Sequence, residues 1–126
     1  MNEAPLQILM VEDDPLDARL IERELGRAGL RFAARRVEAE ADFLRELASS
    51  PDVILCDFHL PQFDSLRALE LLQSAKRDIP FIVVSGSIGE ERAVELLRRG
   101  ASDFILKDRM GRLSSAIGQA LEQRRL

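Results

Sequence analysis

Asp57 closes an apolar run at 53–56, and a second apolar run, at 8–11, ends in Glu12, Asp13 and Asp14. Two further runs end in reactive groups, 81–84 leading into Ser85 and 104–106 into Lys107. Open parallel sheets hold their ligands at the carboxyl ends of their strands, so these groups are expected to meet in one crevice. Carboxylates beside a hydroxyl and an ammonium suit a magnesium ion with oxygen ligands, a carboxylate nucleophile and two groups that bond phosphoryl oxygens. From these residues alone the chain reads as a phosphorylatable switch.

The elements that must position these groups follow from hydrophobic period. Five short apolar segments, at 7–11, 32–37, 53–56, 79–84 and 103–106, read as strands. The segments between them have helical period. Asp14 is suited to cap the first helix and Pro15 to begin it, with Asp17 adding a carboxylate to the first turn. Leu16, Leu20, Ile21 and Leu25 are expected to face inward until Gly29 ends the helix. Phe43, Leu44 and Leu47 mark a second helix, stopped by Ser49, Ser50 and Pro51. Leu66, Leu69 and Leu72 mark a third, Val94 and Leu97 a fourth ended by Gly100, and Leu113, Ala116, Ile117, Ala120 and Leu121 the last. Strands alternating with helices through right-handed crossovers imply a parallel sheet covered on both faces.

With 126 residues, 46% of them hydrophobic, the chain has the size of one domain, expected over 1–126 with a core at 5–122. A net charge of -4 and scattered basic residues argue against direct nucleic-acid binding. Cys56 is the sole cysteine and sits inside an apolar strand, which excludes an internal disulfide and a cysteine metal cluster. No apolar stretch approaches the roughly 20 residues of a membrane span, and no signal segment is visible, so a cytoplasmic protein without membrane contact is expected.

The segments ILMVEDDP, DVILCDFHLPQFDS, FIVVSG and GASDFILKD, in this order and at these strand ends, resemble the chemotaxis-regulator-like receiver domain of two-component response regulators, over nearly the whole chain. The resemblance implies a flavodoxin-like doubly wound α/β fold with strand order 2-1-3-4-5 and five helices. It implies that Asp57 accepts a phosphoryl group from a sensor histidine kinase or a histidine phosphotransfer protein. Glu12 and Asp13 match the family's metal-binding acidic pair. Magnesium, or manganese in its place, would take oxygens from Glu12, Asp13, Asp57 and the backbone carbonyl of His59. Three carboxylates, one such ion and Lys107 balance in charge; without the ion the carboxylates are expected to repel and to raise at least one pKa.

Ser85 and Lys107 match the hydroxyl and the lysine that bond the phosphoryl group, and Phe104 the aromatic residue that turns inward with Ser85, although it also reads as a plain core residue. His59 and Ser87 hold positions that tune phosphoryl lifetime. Gly86 and Gly89 are expected to let the intervening loop move. The switched surface would comprise the fourth helix, fifth strand and fifth helix, engaging a downstream protein or a second copy of the chain. The sequence carries no output domain, so a single-domain regulator and the receiver part of a longer chain are both open.

Two positions depart from the family. Asp108 replaces a proline that follows the lysine through a cis peptide, so either a cis bond costing about 3–4 kcal/mol persists or the loop takes another path. Ser65 replaces a common glycine and would be strained if its φ were positive. Asp14 reads as a cap rather than a metal ligand. Among rival functions, an aspartate-nucleophile phosphatase of the haloacid dehalogenase type needs a second aspartate where His59 stands, and an FMN carrier of this fold needs a hydroxyl- and glycine-rich loop where Glu12, Asp13 and Asp14 stand. A pseudo-receiver acting only as a binding module is the remaining rival. As a receiver, the chain would be no enzyme beyond catalysing its own phosphorylation and dephosphorylation.

Overall fold

Strand alternation and helical period resolve into five parallel strands in a computed structural model that describes residues 4–58, 60–61, 63–86 and 89–125. The strands are β1 (Leu6–Val11), β2 (Phe32–Val37), β3 (Val53–Asp57), β4 (Phe81–Ser85) and β5 (Asp103–Leu106). Between and after them run α1 (Pro15–Arg27), α2 (Glu40–Leu47), α3 (Ser65–Ser74), α4 (Glu90–Arg98) and α5 (Leu113–Arg125), the last preceded by a 3-10 turn over Lys107–Arg112. The sheet order is β2-β1-β3-β4-β5, all parallel, as expected of a flavodoxin-like fold.

The central strands are buried on both faces, and their alternate residues divide into two layers. Leu9, Val11, Ile54, Cys56 and Val83 face Phe43, Leu47, Ala68, Leu69, Leu72 and Leu96 of α2, α3 and α4. Ile8, Met10, Val53, Leu55, Ile82, Val84 and Ile105 face Ala18, Ile21 and Leu25 of α1 and Leu113, Ala116 and Ile117 of α5. A fully buried Leu or Ile contributes about 1.5–3 kcal/mol, so these layers, more than helix propensity, hold the short helices in place. No described helix is long and apolar enough to cross a membrane.

Helix α1 differs from expectation in its inward face. Leu16 is 65% exposed and Leu20 51%, while the buried stripe is Ala18, Ile21 and Leu25. At about 100° per residue, Leu16 and Leu20 lie 100° or more around the axis from Ile21, so leucine content misidentified the stripe that a small alanine completes. On α4, likewise, Ala93 and Leu96 are buried and Val94 and Leu97 are exposed. Strand β4 begins at Phe81 rather than at Ile79 and runs through Ser85.

Asp14 caps α1, its Oδ1 accepting the Leu16 N–H at 2.9 Å, and Pro15 opens the helix. Ser65 opens α3 behind the Asp64 cap and is absent from the residues with positive φ, so serine brings no backbone strain there. Its hydroxyl, 1% exposed, has no hydrogen-bond partner among the described residues. A buried unsatisfied group costs about 1–3 kcal/mol, and Ser65→Ala is expected to raise the free energy of unfolding by about 1 kcal/mol in urea denaturation. A loss of stability in that variant would mean that the hydroxyl is bonded.

Candidate functional site

The strand register brings the reactive groups together. Val11 pairs with Cys56, so Glu12 and Asp57 follow at the same level of neighbouring strands. Asp57 pairs with Val84, and Ser85 with Leu106, which sets Ser85 and Lys107 at the next strand ends. Alternation then sorts them by face. Glu12 continues the phase of Ile8 and Met10, Asp57 that of Val53 and Leu55, and Lys107 that of Ile105, all on the α1–α5 side. Ser85, 1% exposed, continues the phase of Val83, which belongs to the other layer.

The Lys107 ammonium is the hub of the cluster. Its Nζ lies 2.7 Å from Asp17 Oδ2, 3.0 Å from Glu12 Oε1 and 3.4 Å from Asp57 Oδ2. Glu12 is 2% exposed and Asp57 8%. The second Glu12 oxygen, Oε2, accepts the Asp14 N–H at 3.2 Å, and the Arg36 guanidinium donates to the Glu12 carbonyl at 3.1 Å, fixing the turn after β1 from two sides.

Burial pushes the Glu12 carboxyl up to about 7, with the neighbouring Asp57 charge adding to the rise, against the opposing hydrogen bonds from Lys107 and the Asp14 N–H. Burial would lower Lys107, but its bonds to Asp17 and Glu12 and the charges of Asp57 and Glu12 outweigh it and hold the lysine above its ordinary value. The expected elevation of at least one carboxyl thus falls on Glu12, with burial rather than the expected repulsion between carboxylates as its main cause. Cys56 stays a buried core thiol, pushed well up by burial.

Glu12, Asp13 and Asp57 each offer a carboxylate oxygen, all within 4.8 Å of one another. Such a hard-oxygen set, with Asp13 partly exposed beside the buried Glu12 and Asp57, fits magnesium, which takes one or two carboxylates directly and keeps several waters. Asp14 is outside this set and serves as the cap. Phe104 is half-buried and packs against the α2–α4 layer, its backbone carbonyl accepting from Arg112 Nη2 at 2.9 Å. His59 and Ser87, expected as a carbonyl ligand and as lifetime residues, lie outside the described residues.

One feature was left open by the sequence and another went beyond it. There is no cis peptide among the described residues, and the chain after Leu106 turns directly into the 3-10 segment with Lys107 at its start. Asp17, read as a first-turn carboxylate, holds that position in α1 and also bonds Lys107. A signal for this was present. Asp17 precedes Ile21 by four residues and so extends the buried stripe of α1 toward the carboxyl edge of the sheet.

Residues 8–118 match the family described as the response regulator receiver domain. The chain is 30% identical over 125 residues to the C4-dicarboxylate transport transcriptional regulatory protein DctD of Pseudomonas aeruginosa, covering 98% of this chain and 27% of that protein. Among the most similar curated relatives it spans between 16% and 34% of their length. The solved signal receiver domain of a signal transduction histidine kinase from Syntrophus aciditrophicus is 28% identical, with a TM-score of 0.76 over 93% of this chain and 90% of that one. A solved sensor protein from Polaromonas sp. JS666 is 27% identical, with a TM-score of 0.80 over 95% and 98% of the two chains.

Proposed function

The chain belongs to the response regulator receiver domain family of two-component systems, and from that premise we propose that Asp57 is its phosphoacceptor, supplied by a phosphohistidine of a sensor kinase or phosphotransfer protein. The observation that carries this reading is the meeting of Asp57 with Lys107 and with the Glu12–Asp13 carboxylates at the carboxyl ends of β3, β5 and β1. In the step, an Asp57 oxygen bonds phosphorus while the phosphorus–nitrogen bond of the donor breaks and its electron pair leaves with the imidazole. An acyl phosphate results. Such transfers need mainly positioning and charge stabilisation. Burial holds Asp57 in one place, the Lys107 ammonium meets the charge on the phosphoryl oxygens, and Ser85 contributes a hydroxyl.

Glu12, Asp13, Asp57 and the His59 carbonyl would hold magnesium, which when bound neutralises charge on the incoming phosphoryl oxygens. Hydrogen bonds to charged groups are worth about 1.5–3 kcal/mol each, so two from Lys107 and Ser85 amount to roughly 3–6 kcal/mol. Moving a conformer from 1:99 to 99:1 takes about 5.5 kcal/mol, which the upper end of that range reaches. Ser85 and Phe104 are the switching residues of this reading, and His59 and Ser87 set the lifetime. The responding surface is formed by α4, β5 and α5, where Val94 and Leu97 already stand exposed for a downstream partner or a second copy. The setting is cytoplasmic, with the kinase's phosphodonor.

Reductive trapping tests the assignment. After incubation with acetyl phosphate and magnesium, borohydride reduces an acyl phosphate to an alcohol, and peptide mapping is expected to find homoserine at position 57. Trapping at another carboxylate, or nowhere, would contradict the reading.

A further inference from the structure

The geometry points to Asp17 as a resting-state latch, a positioning residue that holds Lys107 and competes with the phosphoryl group for it. This rests on the reading of Asp57 as phosphoacceptor. An ammonium has three N–H donors, and in this structure Lys107 faces three carboxylate acceptors, so its donors are fully committed. The shortest of the three contacts, 2.7 Å, goes to Asp17 on α1, and the longest, 3.4 Å, to Asp57. The ammonium is therefore drawn toward the helix rather than centred on the acceptor.

A phosphoryl group at Asp57 presents several new acceptor oxygens, and Lys107 must surrender a partner to bond more than one of them. Glu12, 2% exposed at its side chain, has no solvent to replace a lost ammonium. Asp17, 31% exposed at its side chain, does, so it is the partner exchanged for water at least cost. Its negative charge also opposes an anion at Asp57. Both effects have the same sign. With Asp17 latched, the resting state is favoured, and removal of the latch favours the phosphoryl-bound state.

The chain has two lysines, Lys76 and Lys107, so side-chain NMR of lysine-labelled protein resolves the hub against an internal reference. The test compares wild type, Asp17→Asn and Asp14→Asn, the last keeping a good helix cap while removing a nearby charge that makes no contact with Lys107. Two quantities are read: the Lys107 ammonium signals without ligand, and the affinity for beryllofluoride, a phosphoryl mimic, at saturating magnesium.

Asp17→Asn is expected to shift the Lys107 signals while leaving those of Lys76 in place, and to tighten beryllofluoride binding about tenfold, the scale of one charged hydrogen bond. Asp14→Asn should change that affinity by no more than about twofold, the residue of a screened charge. Unmoved Lys107 signals, unchanged or weaker binding in Asp17→Asn, or an equal gain in Asp14→Asn would overturn the latch. If wild type binds no beryllofluoride with magnesium, the phosphoacceptor reading falls as well, whereas normal wild-type binding with an indifferent Asp17→Asn removes the latch alone.

Discussion

Lys107→Met is expected to destabilise the metal-free protein at pH 8 by about 3 kcal/mol, the low end of the ~3–5 kcal/mol seen when one partner of a buried ion pair is removed. The reason is the company left behind. Glu12 and Asp57 are almost fully buried, and Lys107 is the cation shared by both, with Asp17 on the third side. Methionine fills the stem's volume but supplies no charge. Saturating magnesium should recover much of the loss, because a ligand that binds only the folded state stabilises it by mass action. Urea denaturation with and without magnesium measures both quantities. A loss below about 1 kcal/mol, the range of surface ion pairs, would show that the cluster behaves as solvated surface charge.

Glu12→Gln is expected to act in the opposite direction. Folded Glu12 keeps its proton up to about 7, whereas the unfolded side chain loses it near 4.5. Between these values the folded state holds more protons than the unfolded state, so stability falls as pH rises and the full cost is present above pH 7. At 1.36 kcal/mol per pKa unit, less the Lys107 bond weakened in the amide, the metal-free variant should be about 2 kcal/mol more stable than wild type at pH 8 and no more stable at pH 4.5. Magnesium should reverse the ranking by stabilising wild type far more. Denaturation curves from pH 4.5 to 8 decide the matter, and parallel profiles for the two proteins would sink the assignment of the slope to Glu12.

Much of this was legible from the chain because the signals were local and redundant. Four of the five strands, β1, β3, β4 and β5, are short, mostly apolar, and end in or just before Glu12, Asp57, Ser85 and Lys107, so period and parallel topology together fix where those groups gather. The cap at Asp14 was equally plain, since one side chain and its own helix settle it.

What could not be read was tertiary. Leucine-rich α1 offers several overlapping stripes, and only contact with the sheet chooses Ala18, Ile21 and Leu25 over Leu16 and Leu20. The partnership of Asp17 with Lys107 joins residues 90 apart and depends on the rotation of that helix. The path after Leu106 was likewise set by the 3-10 turn and not by the identity of residue 108 alone.

Phosphoryl uptake itself tests the central claim most directly. Intact mass after rapid quench should be recorded for wild type incubated with acetyl phosphate, with and without magnesium, beside Asp57→Asn. A single phosphoryl adduct that requires magnesium and disappears in the variant is the predicted result. An adduct that persists in Asp57→Asn, or none in wild type with either acetyl phosphate or phosphoramidate, would contradict it and leave a binding module that works without phosphorylation.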